Sequence, residues 1–318
     1  MKLKTLKTIS IHLGLFIVTV MTTIIAGYAW IKGFTGMIEF SDLSLGVPYA
    51  FALLLILGTH EFGHYFASLF HKVKVTLPYF IPLPPIDLML NFGTLGAVIR
   101  SKSQIKNTRA LFDIGIWGPL SGVVVALIFL TIGFTHLPGK EFILSIHPDY
   151  FTPGAEGKGI ELFFGDSLLF AFLRNLLTNP QTQFVPPMSE IYHYPFLCAG
   201  WFGLLVTAMN LIPVGQLDGG HIVYAMFGEK VHSVVSHISL LLLFAFGVIG
   251  LIDTLYSLGW GIGWSGWLFW AFMLYFLIKP QHPKIENQVE LGLGRKILGA
   301  LAILLFFISF IPLPFSIV

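Results

Sequence analysis

Apolar residues fall into seven long runs along this chain, at positions 9–31, 48–70, 109–134, 196–227, 233–252, 264–278 and 297–312. Most of them approach the roughly 20 residues a helix needs to cross the hydrocarbon core of a bilayer. The pattern predicts an all-α polytopic membrane protein with about seven transmembrane helices. The fourth run is too long for one unbroken span, and Pro213, Gly215, Gly219 and Gly220 interrupt it. A polar stretch at 136–195 predicts an outer loop. The segment 73–100 is apolar enough to enter a membrane, yet Pro78, Pro82, Pro84 and Pro85 forbid a continuous helix. Its two ends, 73–77 and 93–99, read as short strands, so a small re-entrant β-hairpin is expected there. The first run follows Lys2, Lys4 and Lys7 and ends in Ala26-Gly27-Tyr28-Ala29, like a signal peptide. Its apolar part is longer than a cleaved signal needs, which favours a retained helix at 9–31.

Composition agrees with the pattern. The chain of 318 residues is 55% hydrophobic and 11% charged, with a mean hydropathy of +0.82. Soluble domains carry about 25% charged residues. The size suits a single membrane-embedded domain over 1–318, with a core at about 48–227 and C-terminal helices at 233–312. A net charge of +2 gives no reason to expect a nucleic-acid partner. The placement of charge is more informative. With the N-terminus in the cytoplasm, the cytoplasmic segments hold 14 of the 18 basic residues, as the positive-inside rule requires. Trp30, Trp201, Trp260 and Trp264 then fall at the outer ends of their runs. The single cysteine, Cys198, excludes an internal disulfide and a cysteine-based zinc site.

The second run contains His60-Glu61-Phe62-Gly63-His64. On a helix His60 and His64 lie one turn apart on one face, so both imidazoles can reach one ion. Glu61 points to the side, where it can hold a water. A carboxylate among lipid is costly unless it has a partner or a task. A catalytic zinc site takes three protein ligands and keeps an open position. The third candidate is Asp218, in the broken fourth run Asn210-Leu-Ile-Pro213-Val-Gly215-Gln-Leu-Asp218-Gly219-Gly220-His221. Unwound backbone at membrane depth is tolerated inside protein or beside water. Depth supports the grouping. His60 lies about ten residues, or roughly 15 Å, inside the end of its run, and Asp218 about twelve residues before Lys230. Gly118, Pro119 and Gly122 sit at similar depth in the third run, where small residues let helices approach closely.

These residues resemble the site-2 proteases, a family of intramembrane zinc metalloproteases. The match is H-E-F-G-H at 60–64, Gly118-Pro119 in the third run, and N-x-x-P-x-x-x-L-D-G from Asn210 to Gly219. The stretches Leu77-Pro-Tyr-Phe-Ile-Pro-Leu-Pro-Pro85 and Gly93-Thr-Leu-Gly-Ala-Val-Ile-Arg100 look like the branch that includes plant chloroplast proteases and their bacterial relatives. The resemblance implies a three-helix catalytic core with one Zn2+ per chain held by His60, His64 and Asp218. It makes Glu61 the catalytic base and gives Asn210 a role in positioning or polarising the scissile carbonyl. The family's PDZ module does not fit in 136–195, and the apolar C-terminal third leaves no room for a cytoplasmic nucleotide-sensing tail.

The expected activity is hydrolysis of peptide bonds in or near transmembrane segments, with single-span membrane proteins as substrates. Such a substrate must unwind before its peptide bonds are accessible. An edge strand at Gly93, Thr94, Leu95 and Gly96 could hold it extended by strand addition, or the hairpin could be a plug that shields the site. His221 is a candidate to orient Asp218, to stand in as a ligand, or simply to face a polar cavity. His232 is expected at the interface, and Asp113 near a span end where water is close. A metal transporter and an inactive substrate-binding relative are the competing classes. No inverted repeat favours the first, and the intact Glu61 opposes the second. The absence of a Ser/Arg-rich leader suggests a bacterial or archaeal plasma membrane. The oligomeric state is left open.

Overall fold

The computed structural model describes residues 2–33, 39–84, 91–152 and 162–317. Pro85 of the proline-rich stretch lies outside them. Helix α1 (Lys2–Ile31) is followed by a 3-10 turn (Phe40–Gly46), α2 (Val47–Phe70), the strands β1 (Tyr79–Pro82) and β2 (Thr94–Val98), and α3 (Thr108–Thr135). The outer segment holds α4 (Lys140–Ile146), β3 (Leu162–Phe164), α5 (Leu168–Leu177) and a 3-10 turn at Ile191–His193. Then come α6 (Pro195–Asn210), α7 (Asp218–Tyr256), α8 (Gly266–Met273), α9 (Leu293–Ser309) and β4 (Phe315–Ile317).

Among the described residues, four helices are long and apolar enough to cross a membrane: Thr8–Ile31, Phe40–Phe70, Thr108–Thr135 and Asp218–Tyr256. The seven spans expected from the seven runs are therefore not all present as full-length helices. The helices of the sixth, seventh and fourth runs fall short: α8 with 8 residues, α9 with 17 and α6 with 16. At 1.5 Å per residue α6 reaches about 24 Å, short of the roughly 30 Å core. It is buried almost throughout between α2 and α3, and it stops at Asn210 where the backbone unwinds. The long α7 is two helical segments joined at Gly228, whose φ of 83° and ψ of 176° no helix contains. Glycine serves there because an L side chain resists that φ. The outward faces of the second segment, including Leu241, Leu242 and Phe244, are exposed and apolar, as lipid contact requires. The protein is a membrane protein, mostly helical, with a small two-stranded hairpin.

The core is built on α2, α3 and α6. Tyr49, Trp201, Phe202, Leu130 and Ala126 are buried at its centre. Close approach depends on small residues. A Cβ at Gly200 would press on the Leu130 side chain, and one at Gly203 on Ile56 at 3.0 Å. The helix starts are locally encoded: the Asn107 side chain accepts a hydrogen bond from the Ala110 N–H at 2.8 Å, and Ser167 does the same for Phe170 at 3.1 Å.

The first strand of the hairpin lies at Tyr79–Pro82 rather than at 73–77, and it pairs with β2 antiparallel, with Tyr79 opposite Val98, Phe80 opposite Ala97 and Pro82 opposite Thr94. The register shifts between Phe80 and Pro82, a bulge consistent with a proline that cannot donate to the ladder. Helix α1 braces the hairpin. His12 Nδ1 donates to the Pro78 carbonyl at 3.0 Å, Thr22 Oγ1 to Gly93 at 2.6 Å, and Trp30 Nε1 to Asn91 at 3.0 Å. A second small sheet, absent from the sequence expectation, pairs β3 with β4 and ties the end of the chain to the outer segment.

Two side chains differ from expectation. His232 is 1% exposed, and its Nε2 donates to the Gly215 carbonyl at 3.2 Å. Asp113 is buried rather than hydrated. Arg295 grips it with two bonds of 2.8 and 2.7 Å, and His71 Nε2 adds a third at 2.7 Å. The pairing joins α2, α3 and α9, and it supplies the counter-charge a buried carboxylate needs.

Candidate metal centre

Helix α2 carries His60 and His64 on the face turned to α3. The i, i+4 spacing brings their rings together edge to face, with Nε2 atoms 3.1 Å apart. Both imidazoles are buried. The space for them comes from α3. A Cβ at Gly118 would collide with the His64 ring, and one at Gly122 would stand 3.0 Å from the His60 Cβ. His64 Nδ1 lies 2.6 Å from the Ile114 carbonyl. A carbonyl only accepts, so Nδ1 carries the proton and Nε2 presents its lone pair to the site.

Asp218 reaches the same point from another direction. After Asn210 the chain unwinds through a tight turn, with Gly215 at φ +53°. Ser236 Oγ donates to the Pro213 carbonyl at 2.9 Å, alongside the His232 bond to Gly215. The second segment of α7 thus satisfies the backbone of the turn, which lipid could not do. Asp218 opens α7, where the positive end of the helix dipole favours a carboxylate. Its Oδ2 lies 3.3 Å from His60 Nε2 and 3.3 Å from His64 Nε2. Gly219 makes the turn possible, since a Cβ there would strike the Leu211 carbonyl.

Two nitrogens and one oxygen therefore form a triangle with edges of 3.1, 3.3 and 3.3 Å. Tetrahedral zinc with ligands at about 2.0–2.1 Å has ligand–ligand edges of about 3.3–3.4 Å. The donor set fits a Zn2+ ion without rearrangement, and the cation would balance the Asp218 carboxylate.

The triangle opens on a cavity of about 410 Å³. Glu61, Asn210 and His221 line it, together with Leu95, Gly96, Ala97, Val98 and Ile99 of the hairpin. The Ile99 backbone N–H meets the Glu61 carboxylate just past the end of β2. The Asn210 side-chain amide stands 3.3 Å from His60 Nε2. Among the described residues β2 pairs with β1 alone, so its other edge has no strand partner. Of the four hairpin residues singled out in the sequence, Leu95 and Gly96 line this cavity. Thr94 is buried with its hydroxyl on the Ile81 carbonyl at 2.8 Å, and Gly93 is held by α1. His221 faces the cavity, and its Nδ1 pairs with His282 Nε2 at 2.8 Å. His282 Nδ1 donates to the Pro283 carbonyl at 2.7 Å, so the proton between the two rings belongs to His221.

Several neighbours were not visible beforehand. The 118/122 glycine spacing signals close packing, but nothing in it says that the packed groups are the two histidines. The Ile114 carbonyl and the Ile99 amide are backbone groups with no sequence signature. Ser68, one turn past His64, lines the cavity with a buried hydroxyl that has no partner among the described residues.

Comparison with known proteins follows the same residues. Positions 48–249 match the model of peptidase family M50. The chain is 30% identical over 276 residues to a probable zinc metalloprotease, EGY1, chloroplastic, of Arabidopsis thaliana, covering 86% of this chain and 44% of the relative. It is 31% identical over 277 residues to the EGY1 protein of Oryza sativa subsp. japonica, covering 84% and 41%. The EGY2 protein of Oryza sativa subsp. indica is 28% identical over 289 residues, covering 87% and 45%. The chain thus spans less than half the length of these curated relatives. No solved structure matches. The matched region contains the His60–His64 pair, the α3 glycines and the Asp218 turn, and by that match the chain belongs to peptidase family M50.

Proposed function

We propose that this protein is a zinc-dependent intramembrane endopeptidase that hydrolyses peptide bonds within or near the transmembrane segments of membrane proteins. One observation carries the reading. A His-His-Asp triangle of zinc dimensions, with both imidazoles buried, shares a cavity with a carboxylate and an open strand edge.

In this reading His60, His64 and Asp218 hold the ion, and Glu61 is the general base. A zinc ion in that position supplies Lewis acidity, polarising a carbonyl and making a water acidic near neutral pH. Glu61 takes the proton of the attacking water and returns it to the leaving amine. The Ile99 amide keeps its carboxylate aimed into the cavity. Asn210 donates an uncharged hydrogen bond to the developing oxyanion. Leu95 and Gly96 present the free edge of β2, along which an unwound substrate pairs by strand addition. Gly93 and Thr94 hold that edge in register. His221, anchored by His282, orients the Asp218 end of the turn.

The positive-inside count supports an N-terminus in the cytoplasm and a site in the cytoplasmic half of the membrane. The surrounding bilayer is taken to be a plasma membrane, the substrates single-span proteins, and 1–318 one peptidase domain with its core at about 48–227. The test is to purify wild type and Glu61→Gln, measure zinc in each, and incubate both with a single-span substrate. Zinc in both with cleavage by wild type alone is the expected result. Cleavage by both overturns the role of Glu61, and metal flux through vesicles without cleavage would assign the site to transport.

A further inference from the structure

A second group of metal-ligating side chains stands at the other end of the bundle. His147 closes α4, and Glu190 and His193 belong to the turn that leads into α6. His147 Nε2 and His193 Nε2 are 3.1 Å apart. The Glu190 Oε2 atom lies 3.3 Å from His193 Nε2 and 3.6 Å from His147 Nε2. The edges of 3.1, 3.3 and 3.6 Å bracket the value of about 3.3–3.4 Å for tetrahedral zinc. Helix α6 (Pro195–Asn210) leads from this group to the first site, so the two are about 24 Å apart at 1.5 Å per residue.

The hydrogen bonding within this group is incomplete. His193 is fully buried, and its Nδ1 donates to the Ile31 carbonyl at the end of α1, at 2.7 Å. Glu190 is 9% exposed, and its Oε2 is buried with no hydrogen-bond partner among the described residues. A buried carboxylate oxygen without a donor is costly. A proton shared between the two imidazoles leaves Oε2 bare, and one between His193 and Glu190 makes a charged imidazolium at a fully buried position, with His147 left to water. A cation bonded to all three satisfies them together.

We propose that His147, Glu190 and His193 form a second metal site, selective for a divalent transition cation of the zinc class. Two imidazoles and one carboxylate are ligands that such ions favour over calcium or magnesium. The His147 side chain is 37% exposed, which gives the ion an entry path and leaves its fourth position to water. The site joins the end of α1, the end of α4 and the start of α6. It is a structural clamp on the outer segment.

The experiment is zinc stoichiometry on the full chain in detergent, after equilibration with zinc chloride and removal of free metal. Wild type should hold two zinc ions per chain, and His147→Ala one. Glu190→Gln, which keeps the shape of the side chain, should weaken the second ion at least tenfold. His60→Ala should keep the outer ion and lose the inner one. Tryptic cleavage of the 136–195 segment should slow on adding zinc in wild type and in His60→Ala, and stay unchanged in His147→Ala. One ion in wild type that persists in both outer variants overturns the proposal. One ion lost in His147→Ala and kept in His60→Ala would support it and refute the inner zinc centre instead.

Discussion

The two His-His-carboxylate groups have nearly the same dimensions and very different surroundings. At the inner one, both imidazoles project from a single rigid helix, and the carboxylate opens another. Around it are a free carboxylate, a side-chain amide, an unpaired strand edge and a cavity of about 410 Å³. At the outer one, the ligands come from a helix end and a turn, and they link segments that are remote in sequence. Ligand geometry is thus shared by both. What suits the inner group to the proposed catalysis is the open cavity and the Glu61 carboxylate beside it, and what suits the outer group to a structural role is the set of segments it joins.

The sharpest way to break this contrast is to neutralise Glu61. Glu61→Gln should lower cleavage by about 10²–10⁴-fold while zinc content stays at the wild-type value. A loss of inner zinc in that variant would mean Glu61 is a ligand. Asp218→Asn should abolish both inner zinc and cleavage, read by metal analysis and a substrate assay.

The packing that makes room for the imidazoles gives the next effect. Gly118→Ala drives a methyl group into the His64 ring. Overpacking of this kind costs about 1–3 kcal/mol, and the displaced ring should weaken zinc by about 10–100-fold, measurable by chelator competition. Leu95→Pro removes one N–H from β2. Cleavage should fall severalfold with zinc unchanged, and unaltered cleavage would favour a hairpin that merely shields the site.

The smallest effect concerns His282, outside the spanning helices, whose imidazole burial pushes it down to about 4. An unfolded histidine takes its proton near pH 6.5. The unfolded chain therefore binds that proton first, and stability falls as pH drops from about 6.5 towards 4, with the full contribution present above 6.5. His282→Gln should flatten this slope in thermal melts recorded between pH 4 and 7.

The inner site was largely legible because its chemistry obeys helix periodicity. His60 and His64 are bound to share a face wherever that helix forms, and a helix is the default for an apolar run of that length. Asp218 could be nominated because an acid beside Pro213 and the glycines is expensive unless it is used. Other features followed a different logic. Expecting Asp113 to meet water ignored Arg295, which lies 182 residues away along the chain. His232 was placed at an interface by its position in a run, whereas its ring is spent on a backbone turn. The outer group was not foreseen at all, since no spacing relates His147 to Glu190 and His193.

The sequence by itself determined that this chain lives in a membrane, that it carries paired imidazoles on one helix, and that its fourth run breaks where an aspartate stands. Those are consequences of local periodicity and of the cost of polar groups in lipid. Only the tertiary structure decided that α6 stops at the depth of the histidines, that α1 braces the hairpin, and that Ile114 and Ile99 direct the rings and the carboxylate. The physical reason is that backbone groups and long-range pairings have no period to read. They are chosen by which surfaces the helices bury together and by which polar atoms still need a partner once they have.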